Sequence, residues 1–180
     1  MDAGGWVTLS DLLAWKRLKS AGVTREHVQY IVDSCEKRRF ALSPDGSKIR
    51  ANQGHSVSAV KEEELLTPIE DAAELRMCVH STFPKAVEAI SRSGLSRMSR
   101  RHIHMVDSFE THAESGAISG VRRSARVHVH VDAAAAMAAG ITFHRSANGV
   151  ILSAGNADGF IPAEFCTIKD ARTGELWVPR

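Results

Sequence analysis

Arg39-Phe40-Ala41-Leu42 and Lys48-Ile49-Arg50-Ala51 flank a Ser43-Pro44-Asp45-Gly46-Ser47 turn. Two short runs around a Pro-Asp-Gly turn predict a β-hairpin. What precedes the hairpin is helical. Thr8 or Ser10 can cap a helix through Asp11–Lys19, with Leu9, Leu12 and Leu13 on its apolar side and Gly22 ending it. Thr24 can cap a second helix, whose Glu26 suits the positive helix start. There Val28, Ile31, Val32 and Cys35 recur at i, i+3, i+4, i+7 and predict one apolar face. Two helices followed by a hairpin form the back end of a winged-helix module.

Past the hairpin the texture changes. Glu62–Glu74 is acidic, contains Pro68 and reads as a linker or crossover. Strands are expected at Leu75–His80, His102–Val106, Ala125–Val131, Ile141–Phe143, Val150–Ser153 and Phe165–Lys169. A helix is expected over Pro84–Ser93, ending at Gly94. Asp132 is expected to cap an alanine-rich helix that stops at Gly140. Many short strands with few helices predict an α+β fold with two lobes, residues 1–70 and 71–180.

Composition narrows the function classes. The chain has 180 residues, 43% hydrophobic and 24% charged, which excludes disorder, collagen and coiled coil. No apolar run reaches the roughly 18 residues of a membrane helix, and the N-terminus lacks a signal-peptide pattern. Cys35, Cys78 and Cys166 are odd in number and contain no C-x-x-C, so a reduced intracellular compartment is expected. The net charge is only +2, but basic residues gather at Lys37–Arg39, Arg97–Arg101 and Arg122–Arg126. Nine histidines point to a polar, hydrogen-bonding site.

Four stretches can carry chemistry. Arg50-Ala51-Asn52-Gln53-Gly54-His55-Ser56 packs a guanidinium, two amides, an imidazole and a hydroxyl around one glycine. Arginine suits bidentate phosphate contacts, although the same residues also suit a polar loop closing a hairpin. His80-Ser81-Thr82 ends a strand ahead of a helix start, where a ribose diol and a phosphate can be held, or where Ser and Thr simply cap. His102-Ile103-His104 and His128-Val129-His130 each put two imidazoles on one strand face. Neither pair has the further Cys or carboxylate ligands zinc needs, so no metal is expected, and a half-exposed face accounts better for His128 and His130. Arg145-Ser146-Ala147-Asn148-Gly149 puts a cation beside an Asn-Gly hairpin turn, facing an anion or solvent.

Taken in order, RANQGHS, the strand-end Val-His-x-Thr, Arg-x-His-Ile-His and FHRSANGVIL with a downstream Gly-Phe-Ile-Pro resemble the tRNA 2′-phosphotransferase family, in its eukaryotic wording. The resemblance runs from Gly5-Trp6-Val7 to about Phe165. It implies an N-terminal winged-helix lobe and a C-terminal ADP-ribosyltransferase-like lobe. It also implies a transferase that moves an internal 2′-phosphate of spliced tRNA onto NAD+, a co-substrate. An ADP-ribosylated RNA phosphate would form as nicotinamide leaves. The ribose 2″-hydroxyl would then displace RNA with a free 2′-hydroxyl and close ADP-ribose 1″,2″-cyclic phosphate. On this resemblance Arg50 and Arg145 are the catalytic phosphate contacts. His80, Ser81, Thr82, His104, His102 and Arg101 hold NAD+. Asn52, Gly54, His55, Ser146 and Asn148 contact or shape the RNA site.

Two departures from the family pattern are visible. Ser81 stands where the family motif has glycine, and its Cβ is tolerated only at negative φ. The family opens with a helix carrying an Arg-His pair, which maps onto no residue here. The expectation is therefore an incomplete N-terminus, NAD+ binding and an impaired second step. The partners expected are 2′-phosphorylated RNA and NAD+, with no membrane, for a monomer of the cytoplasm or nucleus. The alternatives are an ADP-ribosyltransferase acting on phosphorylated nucleic-acid ends, and an RNA-binding protein with a degenerate second lobe.

Overall fold

A computed structural model describes residues 1–54, 65–109 and 124–178. It is a mixed helix-and-sheet fold. In its first part β1 (Val7–Thr8), α1 (Leu9–Ala14), α2 (Lys16–Ser20) and α3 (Arg25–Ser34) precede β2 (Phe40–Leu42) and β3 (Lys48–Ala51). Antiparallel pairing in the order β1-β3-β2 makes a three-stranded sheet.

Thr8, one of the two expected caps, accepts the Asp11 amide. The expected single helix is two, because Trp15 is extended at ψ 127° and ends α1 before α2 begins. In α3 the Thr24 side chain and His27 cap each other's backbone reciprocally. The apolar face expected on α3 is only partly used. Val28 is buried, but Ile31 is 51% exposed. The hairpin forms as expected, turning through Gly46 at φ 65°.

The remainder is built of short antiparallel strands. β4 (Thr67–Ile69), β9 (Phe143–Arg145), β10 (Ile151–Ser153) and β7 (Ile103–Met105) make one sheet. β12 (Cys166–Asp170), β8 (Val127–Val131) and β5 (Val79–Thr82) make a second, and β6 (Leu95–Ser96) pairs with β11 (Phe160–Ile161). The two larger sheets meet where Val79 and Val106 exchange both backbone hydrogen bonds, at 3.0 and 2.9 Å. The strand expected at Leu75–His80 lies later, at Val79–Thr82. Residues 72–74 instead form a 3-10 turn capped by Asp71. The strand expected at Ile141–Phe143 also lies later, because Phe143–Arg145 pairs across the Asn148-Gly149 turn with β10. Pairing of β4 with β9 carries the second sheet system back to Thr67, ahead of the division expected at residue 70.

α4 (Val87–Ser93) follows a 3-10 turn and stops at Gly94, whose φ is 88°. Asp132 caps α5 (Ala133–Ala138) by accepting the Ala135 amide at 3.0 Å. Val127, Val129 and Val131 of β8 join Met105, Phe143, Ile151 and Ile161 in the main core. No described helix is long and apolar enough to cross a membrane.

Candidate functional site

Strand alternation sorts the candidate residues first. Cross-strand partners share a sheet face. Ser81 opposes His128 and Val79 opposes His130, whereas His80 opposes Val129 and Thr82 opposes Val127. His80 and Thr82 therefore lie on one face of β5 and Ser81 on the other. Ser81 is buried, its φ is not positive, and its Oγ has no hydrogen-bond partner among the described residues. The strand thus accepts the extra Cβ and hydroxyl without backbone strain. On its face Phe109 stacks on His128, with ring centroids 4.6 Å apart. Burial lowers the pKa values of His128 and His130, and the Asp170 carboxylate partly opposes this at His128.

His80 and His104 are joined across the seam between the sheets. His80 Nδ1 lies 2.8 Å from the His104 carbonyl, and His104 Nδ1 lies 3.1 Å from the His102 carbonyl. A carbonyl only accepts, so each ring carries its proton on Nδ1 in these contacts. The histidine ladder is thereby fixed in orientation by backbone.

His102 and His104 line a cavity of about 680 Å³ together with Ser99, Arg100 and Arg101. Arg39, Phe40, Ala51, Gln53 and Gly54 of the hairpin region close its other side. The segment at residues 97–100 is braced from below. Arg97 donates through Nη1 to the Arg100 carbonyl at 2.8 Å, and its amide donates to Gly159 at 3.0 Å. Gly54 is thus brought together with Arg101, His102 and His104, all four of them candidates from the sequence. Arg39, Phe40, Ser99 and Arg100 join them unanticipated, although Arg39 and Arg100 belong to the basic clusters visible in the sequence.

The two expected phosphate contacts sit differently. Arg50, on β3, places its guanidinium carbon 4.5 Å from the Trp6 ring centroid, a cation–π contact. Its buried Nε has no partner among the described residues. Arg145, at the end of β9, is held by the Asp107 carboxylate and donates to the Glu74 carbonyl at 3.2 Å. Asp107 was not anticipated, because nothing local in Met105-Val106-Asp107 marks it as an arginine's partner.

The expected RNA contacts Asn52, Ser146 and Asn148 are all buried and engaged by protein. Asn52 Nδ2 donates to the Arg38 carbonyl at 2.5 Å. Asn148 Nδ2 donates to the Lys37 carbonyl at 3.0 Å, while its Oδ1 lies 2.8 Å from Ser146 Oγ. These residues hold the loop before β2 against the turn between β9 and β10. His55 lies outside the described residues, as do Glu62–Glu64 and Arg122–Arg123.

A family model described as RNA 2′-phosphotransferase, Tpt1/KptA family, matches residues 1–155. The chain is 43% identical over 166 residues to tRNA 2′-phosphotransferase 1 of Mus musculus, an alignment covering 89% of this chain and 64% of that protein. The Homo sapiens protein of the same name is also 43% identical, with 63% of it covered. A probable RNA 2′-phosphotransferase of Nostoc punctiforme is 36% identical over 149 residues, covering 83% of this chain and 77% of that protein. The chain thus spans less than two thirds of the length of the two mammalian relatives.

Proposed function

This chain belongs to the RNA 2′-phosphotransferase, Tpt1/KptA family, and from that premise we propose that it transfers an internal 2′-phosphate of spliced tRNA to NAD+. The observation that carries this reading is the cavity joining Gln53 and Gly54 of the first motif to Arg101, His102 and His104 of the third. One such cavity lets an RNA-side segment and a dinucleotide-side segment meet. The division we assign is a winged-helix lobe ahead of an ADP-ribosyltransferase-like lobe, whose sheets begin at Thr67.

The residues fit NAD+ chemically. The fit lies on the His80 and Thr82 face of β5, since Ser81 points to the opposite face with its hydroxyl buried and without a partner among the described residues. The imidazoles of His80 and His104 are oriented by backbone carbonyls, and Arg101 adds a cation for a diphosphate. When bound, NAD+ supplies the ribosyl carbon that accepts the phosphate and a nicotinamide leaving group. The protein's part is binding, positioning and charge stabilisation.

Arg50 is assigned to the RNA 2′-phosphate. Its guanidinium is steadied by Trp6, 4.5 Å from the ring centroid. Arg145 is assigned to the same phosphate as its charge shifts during transfer, and must exchange or share the Asp107 carboxylate to act. Gly54 shapes the RNA side of the cavity, and Thr82 lies next along β5 on the His80 face. Asn52, Ser146 and Asn148 contribute by holding the loop rather than by touching RNA. None of the three cysteines is in a disulfide, which suits the cytoplasm or nucleus.

The test is a single-turnover reaction with NAD+ and an RNA bearing one internal, radiolabelled 2′-phosphate. The expected product is label released on ADP-ribose. Label retained on an RNA–ADP-ribose adduct reduces the activity to ADP-ribosyl transfer. Label that stays on unchanged RNA overturns the proposal.

A further inference from the structure

We propose that the hairpin side of the cavity between the hairpin and residues 99–104 seats an unpaired nucleotide adjoining the 2′-phosphorylated one, with its base stacked on Phe40, while the Arg101, His102 and His104 side is left to NAD+. The proposal rests on the RNA reading above and adds where, and in what form, the RNA is held.

Three observations point the same way. Phe40, on the edge strand β2, keeps 39% of its surface exposed while lining the cavity. An exposed aromatic ring is unremarkable alone. Here it stands in a wall that carries Arg39, Arg100, Arg101, His102 and His104 and, among the described residues, no carboxylate. Such a wall repels cations and attracts a phosphodiester.

Two arginines of that wall, Arg39 and Arg100, differ from several others in the molecule. Arg145 is paired with Asp107, Arg92 with Glu88 at 2.7 Å, and Arg25 donates to the Gly46 carbonyl. The guanidinium groups of Arg39 and Arg100 have no hydrogen bond or ion pair among the described residues. Two unpaired cations facing one cavity beside an exposed ring form the usual pattern for single-stranded nucleic acid, with stacking for the base and cations for its flanking phosphates.

Gln53 supplies the third observation. It lines the cavity, and its buried Oε1 has no partner among the described residues. A buried amide oxygen left unsatisfied is costly. A base edge carrying an N–H donor would satisfy it. Such stacking needs a base splayed out of any helix, because bases in an A-form duplex present only their edges. The substrate segment is therefore unpaired next to the modified nucleotide.

The experiment measures equilibrium affinity of the full chain by fluorescence anisotropy, without NAD+, so its outcome is independent of turnover. The probes are a single-stranded RNA with one internal 2′-phosphate and two derivatives, abasic at the 5′ or the 3′ neighbour. One abasic RNA is expected to bind about 5- to 150-fold more weakly, the range for losing one stacked base. Phe40→Ala should bind the intact RNA with the same loss, and the abasic site should then add nothing. Phe40→Trp should restore the discrimination, which guards against a misfolded alanine variant.

Equal affinity of wild-type protein for all three RNAs overturns the proposal. So does a Phe40→Ala variant that keeps its RNA affinity but loses NAD+ affinity by calorimetry, which would give the hairpin side of the cavity to the dinucleotide as well. Abasic discrimination without any turnover would instead leave this subsite standing and remove the phosphotransferase reading.

Discussion

Asn52 and Asn148 donate to neighbouring carbonyls of one loop, Asn52 Nδ2 to Arg38 at 2.5 Å and Asn148 Nδ2 to Lys37 at 3.0 Å. One asparagine follows β3 and the other sits in the turn between β9 and β10, so sequence-distant motifs clasp the segment that leads into β2. Arg38 lies at φ 43°, a conformation that a non-glycine residue keeps only when its surroundings hold it. The clasp supplies that hold, and it places Arg39 and Phe40 at the cavity.

Removing one arm should loosen this arrangement before it affects chemistry. Asn148→Ala removes the hydrogen bond to the Lys37 carbonyl and the one shared with Ser146 Oγ, which keeps its bonds with Val150, a loss of about 1–2 kcal/mol. Denaturant unfolding should report that loss. RNA affinity should fall with it, because Arg39 and Phe40 lose their anchor, while NAD+ affinity stays near the wild-type value. An Asn148→Ala protein of unchanged stability would refute the clasp.

Arg145 and Asp107 lead to a second expectation. Their side chains are 32% and 22% exposed, so solvent weakens the pair and breaking it costs about 1 kcal/mol or less. The functional effect should be larger. A phosphate reaching Arg145 has to compete with the carboxylate, so Asp107→Asn should lower the KM for 2′-phosphorylated RNA with little change in kcat. Arg145→Ala should lower kcat. A raised RNA KM in Asp107→Asn would mean that the carboxylate instead holds Arg145 in its working position.

Acid should destabilise the fold through β8. Burial is the main cause lowering the pKa of both His128 and His130. Their folded values lie below the unfolded reference of about 6.5. As pH falls through that reference, the unfolded chain takes up protons that the folded protein does not, so stability declines. Tm should therefore drop between pH 7.5 and pH 5, and His128→Gln with His130→Gln should flatten the drop. An unaltered slope in the double variant would remove these groups from the account.

Much of this was legible in the sequence, and the failures share a cause. Local signals succeeded: the Pro-Asp-Gly and Asn-Gly turns, the Thr24 and Asp132 caps and the Gly94 stop all depend on neighbours within a few residues. The strands shifted to Val79–Thr82 and Phe143–Arg145 were set by distant partners, through the Val79–Val106 exchange and the β9–β10 register. The same holds for the site. Arginines and histidines announced themselves by type. The roles of Asn52, Asn148 and Asp107 depend on carbonyls and guanidinium groups far away in the chain, which no local pattern encodes.

Ser81 offers the sharpest separation of stability from binding. Its Oγ is buried on the His128 face of β5 and has no partner among the described residues. Such a hydroxyl costs the folded protein about 1–3 kcal/mol relative to a satisfied one. Ser81→Ala removes the hydroxyl and keeps the Cβ the strand already accommodates, so the ligand-free protein should gain stability, by about 1 kcal/mol. If the hydroxyl is held in reserve for NAD+, the same substitution should weaken NAD+ binding. Tm without ligand should rise while the calorimetric Kd for NAD+ increases about five- to tenfold, the loss of roughly one hydrogen bond. Opposite signs in the two measurements would tie the unsatisfied group to the co-substrate. A gain in Tm with unchanged NAD+ affinity would show that Ser81 Oγ is an unused cost of the strand.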